Sequence, residues 1–185
     1  GNHHRKEAIL DRKILWEGSL NILSQIKSRE IMRTIDSKKI ALVCFNNGKL
    51  DNYELLISHG ETRSEQLYDL IIMFEGQIKA IKPDVVYLEE AIYISNFKTS
   101  RSISEVIGNM KFVLTENKIP YEAVAVTSWK KKVIGKGNAK KQDVKDFILK
   151  KYPQLEGNEQ DIFDATAICM HGIKCEQEKL LNKDE

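Results

Sequence analysis

The chain has 185 residues, of which 42% are hydrophobic and 30% charged, and its net charge is +2. These values fit one folded domain and exclude a disordered chain. No apolar run reaches the roughly 18 residues of a membrane span, and Cys44, Cys169 and Cys175 lack the number and spacing of a disulfide framework or a zinc site. The opening stretch GNHHRKEAILDRK has no continuous apolar segment of a secretory signal, so a cytoplasmic protein is expected.

In residues 1–28, Ile14, Leu15, Leu20, Ile22, Leu23 and Ile26 recur among charges at a largely helical spacing, which predicts one or two helices interrupted near Gly18. EIMRTID (30–36) and IALVCF (40–45) have strand composition, NNGK reads as a hairpin turn, and a third strand follows around NYELLIS. SEQLYDLIIMFEGQIKAIK (64–82) has a helical apolar period and ends before Pro83. DVVYLEEA (84–91) reads as a buried strand that closes on two glutamates. A helix over 102–118, a strand over 121–127, a lysine-rich helix over 141–151 and a last helix starting near Gln160 complete the chain. An antiparallel meander followed by alternating strands and helices predicts an α/β fold, a mixed five-stranded sheet with helices on both faces.

Four acids fall at the ends of apolar elements: Asp36 closes the first predicted strand, Glu89 the fourth, and Asp161 and Asp164 open the last helix. Singly, each fits a turn former, an N-cap or a helix-dipole partner. Together they fit a hard cation, because carboxylates are rarely buried unless paired or metal-bound and oxygen ligands suit Mg²⁺ or Mn²⁺. The lysine-rich stretch from 130 to 151 makes a local basic stripe in a nearly neutral protein. Lys145, Lys150 and Lys151 read as a solvated face. Lys130, Lys136, Lys140 and Lys141 flank Gly135 and Gly137, where a loop can approach phosphate closely. Tyr93, Phe97 and Arg101 lie between Glu89 and the next predicted helix and suit stacking and phosphate contact, or an ordinary loop. His59, His171 and Trp129 are read as structural.

The stretches TIDSKK (34–39), VVYLEEAIYISNFKTSRSISEVIG (85–108), VTSWKKKVIGKGNAKKQDVKDFI (126–148) and QDIFDATAICMHG (160–172) together carry a resemblance to the RuvC family of Holliday-junction resolvases, within the RNase H-like nucleases. The most specific of them is VIGKGNAKKQDV. The resemblance implies a RuvC-like nuclease domain over residues 30–173, with an N-terminal helical extension over 1–29 and a charged C-terminal tail over 174–185. It implies that Asp36, Glu89, Asp161 and Asp164 are the catalytic, metal-binding carboxylates, Glu89 being preferred to Glu90, and that Lys141 is an active-site lysine. Lys130 matches a second functional lysine, and Gly108 a helix glycine that allows close packing. The chain departs from the family in the turn after Asp36, where it has Ser37, Lys38 and Lys39, and at Ile92, where an aromatic is common.

The implied activity is Mg²⁺-dependent phosphodiester hydrolysis, with two ions and Mn²⁺ as a substitute, on branched DNA such as a four-way junction. The implied assembly is a twofold homodimer that offers one site to each of two strands, through a face formed by Ile103, Val106, Ile107, Met110 and Val113 or Leu114, residues that suit a core equally well. Flaps, forks or RNA·DNA hybrids as substrates, and a noncatalytic protein that binds branched nucleic acid, are the alternatives.

Overall fold

The computed structural model describes residues 13–17, 38–90 and 97–183, with the backbone alone for 13–17 and 97–99. The strands β1 (Lys13–Glu17), β2 (Lys39–Asn46), β3 (Lys49–Ile57), β4 (Val85–Glu89) and β5 (Tyr121–Val124) pair in the order β3-β2-β1-β4-β5. β1, β2 and β3 are successively antiparallel, whereas β1, β4 and β5 run parallel. The helices are α1 (Arg63–Ile81), α2 (Phe97–Glu116), α3 (Val126–Trp129), α4 (Lys141–Lys151) and α5 (Gln160–Asn182); α3 runs directly into a π-turn over Lys130–Ile134.

The strand predicted at 30–36, with Asp36 at its end, lies outside the described residues. The strand between β2 and β4 is Lys13–Glu17, a stretch for which helix was predicted. Ile14, Leu15 and Trp16 are too short an apolar run for periodicity to separate helix from strand, and partners on both sides decide the outcome.

β2 is buried on both faces, which explains its unbroken apolar run. Ile40, Leu42 and Cys44 pack with Val86 and Leu88 of β4 against Leu70, Phe74 and Ile78 of α1 and Val106, Met110 and Leu114 of α2. Ala41, Val43 and Phe45 point the other way and join Val85, Tyr87 and the apolar face of α5. Burying one such side chain contributes about 1.5–3 kcal/mol relative to exposure. Helices thus cover both faces of the sheet. The β2–β3 turn is a hairpin with Asn47 and Gly48 at φ 54° and 74°, the positive values that a two-residue loop demands. At the start of α1, the Thr62 hydroxyl accepts from the Glu65 N–H while the Glu65 carboxylate accepts from Thr62, and the helix ends at Lys82 with a left-handed residue before Pro83.

Three expectations change. Ile103, Val106, Ile107, Met110, Val113 and Leu114, the candidate dimer face, are all buried inside the protomer, at 7% exposure or less. Residues 174–182 continue α5 and are not a separate tail: Tyr87 donates a 2.5 Å hydrogen bond to Glu176, inside the fold. Among the described residues Gly108 faces open space, whereas a Cβ at Gly172 would stand 2.4 Å from Tyr87 Cδ2, so Gly172 is a glycine that lets helix and sheet come together.

Candidate active site

Strand register locates the site. Glu17 is level with both Leu42 and Leu88, so the C-terminal ends of the parallel strands β1 and β4 lie at the sheet edge where β2 begins. Lys39 is level with Ile57, and Glu89 with Val124, which adds the ends of β3 and β5 to that edge. The edge also collects helix starts. Arg63 at the start of α1 donates to the Ser102 carbonyl in the first turns of α2 at 2.9 Å, and Lys39 at the start of β2 bonds both carboxylate oxygens of Glu159, just before α5, at 3.0 and 3.4 Å. Helix N-termini carry partial positive charge, so their gathering here favours anionic ligands. This is also the edge at which sites form in parallel α/β sheets.

Glu89 is half-buried at the end of β4, and Glu90 next to it is exposed. Strand alternation separates them: Val85 and Tyr87 belong to the cluster beneath α5, so Glu89 shares their face and Glu90 does not. Asp161, in the first turn of α5, is 1% exposed. Asp164 one turn later is half-buried and accepts a 3.1 Å hydrogen bond from Gln160 Nε2. Burial pushes the Asp164 carboxyl up from 3.8 to about 6, against the opposing pull of the Gln160 hydrogen bond and of the Lys130 and Lys141 charges. The two lysines matched from the glycine-rich segment therefore bear on the same carboxylate. Ile162, Phe163 and Ala165 hold this turn of α5 in the core.

The lysine segment is more organised than its sequence suggests. The π-turn ends at Gly135, whose φ of 107° and two hydrogen bonds, to the Lys130 and Lys131 carbonyls at 3.1 Å each, reverse the chain into the glycine loop. The Asp143 carboxylate then accepts from the Lys140 N–H at 2.9 Å and pairs with the Lys136 ammonium at 3.4 Å. These contacts hold the Asp143 carboxyl below the ordinary carboxylate range, the hydrogen bond from Lys140 being the largest cause. Lys140 and Lys141 are exposed, at the N-terminal end of α4. Lys132 is committed elsewhere, to Glu178 of α5 at 2.7 Å, and Lys174 donates to the Lys132 carbonyl at 3.2 Å, so α5 braces the π-turn.

Of the remaining candidates, Asp36 and Tyr93 lie outside the described residues, as does the side chain of Phe97, whose backbone begins α2. Arg101 is in that helix, not a loop, and pairs with Glu105 at 3.6 Å. The ties made by Asp143 and Lys39 differ in how visible they are in the sequence. Asp143 had a local signal, an acid in the first turn of a helix. Lys39 and Glu159, 120 residues apart, had none.

The donor chemistry fits a hard divalent cation: Glu89, Asp161 and Asp164 offer only oxygens, and a carboxylate forced into a dry site gains from a cation what burial took from it. Among the described residues no three His, Cys, Asp or Glu side chains are gathered into a metal centre, so Glu89, Asp161 and Asp164 do not make a complete ligand set by themselves.

The family model for crossover junction endodeoxyribonuclease RuvC matches residues 47–171. The chain belongs to the RuvC family. A RuvC described as a crossover junction endodeoxyribonuclease from Brachyspira hyodysenteriae is 24% identical over 139 residues, 74% of this chain and 81% of that protein. The RuvC of Caldanaerobacter subterraneus subsp. tengcongensis is 27% identical over 129 residues, 67% of this chain and 74% of that protein. In fold, this RuvC-family chain is similar to Thermus thermophilus RuvC solved in complex with a Holliday junction substrate, with a TM-score of 0.71 at 15% identity, covering 90% of this chain and 96% of that one. The RuvC match begins in the β2–β3 turn, so β1, β2 and Asp36 precede it. No helix among the described residues is long and apolar enough to cross a membrane.

Proposed function

We propose that this RuvC-family protein is a structure-selective DNA endonuclease that resolves four-way junctions in the cytoplasm by Mg²⁺-dependent hydrolysis, leaving paired symmetric nicks. The observation that carries the reading is the RuvC family match over residues 47–171, and the start of α5 supports it: Asp164 there is raised to about 6 by burial, with the charges of Lys130 and Lys141 on it. Basic groups brought onto a partly desolvated carboxylate suit a site for a phosphodiester and a cation. A bound divalent ion supplies Lewis-acid stabilisation and, at neutral pH, a nucleophilic hydroxide.

The chain's own residues do the rest. Asp36, Glu89, Asp161 and Asp164 would hold two such ions through carboxylate oxygens, with Mn²⁺ able to replace Mg²⁺. Lys141 places its ammonium against a non-bridging oxygen of the scissile phosphate and offsets the charge that grows there as the bond to the leaving 3′ oxygen breaks. Lys130, Lys136 and Lys140 bind neighbouring phosphates, which makes affinity salt-dependent and largely independent of sequence. Tyr93, Phe97 and Arg101 contact the junction beside Glu89 by stacking and phosphate binding. The ion pair to Asp143 holds Lys136 in place before DNA arrives.

A junction has two strands to cut, and a twofold homodimer supplies two sites. Because the face first expected is core, the dimer surface proposed is the outer side of α1 and α2. Arg63 meets Ser102, and Lys79 feels the charge of Glu116, so the two helices run side by side in the same direction. Tyr68, Ile72 and Phe112, 66%, 50% and 66% exposed, are large apolar side chains on this pair of helices.

The test is a synthetic four-way junction incubated with Mg²⁺ or EDTA beside linear duplex, flap, fork and RNA·DNA hybrid. Symmetric nicks confined to the junction, lost in EDTA and in Asp36→Asn, support the proposal. Equal cutting of linear duplex defeats junction selectivity, and preferred cutting of flap or hybrid moves the assignment to another nuclease class. Junction binding without metal-dependent cutting makes the protein a noncatalytic binder. Lys141→Ala should slow cleavage of bound junction more than it weakens binding; the reverse result removes Lys141 from the chemistry.

A further inference from the structure

Trp129 closes α3 at 1% exposure, among Val133, Ala139, Val144 and Phe163 of the core beneath α5. Its indole N–H is buried and meets no hydrogen-bond acceptor among the described residues. A residue placed there only to fill space would be better as phenylalanine or leucine, because an unpaired buried donor bears its full desolvation penalty. The ring face is used, however. Lys130 Nζ lies 5.7 Å from the indole centroid, within cation–π range, and tryptophan is the strongest partner for that interaction. Lys130 is also the first residue of the π-turn, its carbonyl held by the Gly135 N–H at 3.1 Å, so its backbone is fixed where its side chain is supported. The same lysine bears on Asp164.

We propose that Trp129 is a positioning residue: its indole face holds the Lys130 ammonium at the catalytic edge, sparing a long, flexible side chain the loss of rotamer freedom when DNA binds. The inference rests on the endonuclease reading and assigns the most buried aromatic of the lysine segment a role beyond packing.

The experiment measures single-turnover cleavage of a synthetic four-way junction in Mg²⁺, with melting temperature, for wild type, Trp129→Phe, Trp129→Leu, Lys130→Met and the two double variants. Trp129→Phe keeps a weaker π face and removes the unpaired N–H, so it should melt within a few degrees of wild type yet cleave about threefold to fivefold more slowly. Trp129→Leu, if folded, should be slower still. In the Lys130→Met background neither substitution should change the rate further, because the supported group is gone. Side-chain NMR supplies a readout independent of cleavage: Lys130 methylene protons, assigned by their loss in Lys130→Met, should be shifted upfield by the indole ring and return towards random-coil positions in Trp129→Leu. Wild-type cleavage by Trp129→Phe, an equal slowing in the Lys130→Met background, or unshifted Lys130 resonances would overturn the proposal. A wild type that leaves the junction uncut while Lys130 is ring-shifted would instead overturn the endonuclease reading.

Discussion

Replacing Asp164 by Asn should make the metal-free protein more stable while abolishing its cleavage. In the native state the Asp164 carboxyl titrates at about 6, against an ordinary value of 3.8, and burial is the main cause. Between those values the native state holds a proton that the unfolded chain has lost. Stability therefore falls as pH rises from about 4 to about 6 and stays at its lower level above that, where native Asp164 is charged and poorly solvated. The full displacement is worth about 3 kcal/mol, and solvent reaching a half-buried group reduces this to about 1–2 kcal/mol. Asn keeps the acceptor for Gln160 Nε2, so the 3.1 Å hydrogen bond need not be lost. Urea unfolding in EDTA at pH 8 and pH 5 measures the effect: Asp164→Asn should exceed wild type at pH 8, and the difference should shrink at pH 5. Added Mg²⁺ should stabilise wild type and leave the variant nearly unchanged, since an ion bound only by the native state contributes by mass action. A variant less stable than wild type at pH 8, or one with an undiminished advantage at pH 5, would show that Asp164 is not the strained group described.

Other consequences follow from single contacts. Glu89→Gln should abolish cleavage while Glu90→Gln leaves most of it, because only Glu89 shares the strand face under α5; equal losses in a junction-cleavage assay would contradict that division. Gly172→Ala should destabilise the fold by about 1–3 kcal/mol, because the new methyl meets a Tyr87 ring that is fully buried and tethered to Glu176, and denaturant unfolding would detect it. Phe112→Glu should shift the protein towards monomer in sedimentation velocity while leaving the fold of each protomer intact by circular dichroism, since Phe112 is 66% exposed; an unchanged oligomeric state would remove Phe112 from the dimer surface.

Much of the fold was legible from local patterns, and the misses share a cause. The period of Leu70, Phe74 and Ile78 announced α1, and the Asn47–Gly48 turn announced the β2–β3 hairpin, because both signals act over a few residues. Lys13–Glu17 was missed because its identity as a strand comes from β2 and β4, neither of which is adjacent in sequence. The apolar series from Ile103 to Leu114 was visible as a face, but whether it meets another copy or the chain's own sheet depends on what packs over it.

The sequence by itself determined which chemistry is available. It set out the carboxylates Asp36, Glu89, Asp161 and Asp164, the lysines around Gly135 and Gly137, and the motif spacing that carries the RuvC resemblance. Tertiary structure alone decided which of these groups share an environment. The strand register brings the ends of β1, β3, β4 and β5 to one edge, α5 descends on that edge through Gly172, and the π-turn brings Lys130 to bear on Asp164. A carboxylate is an ordinary surface acid until packing removes its water, and that desolvation is set by residues far away in the chain, which no local pattern contains.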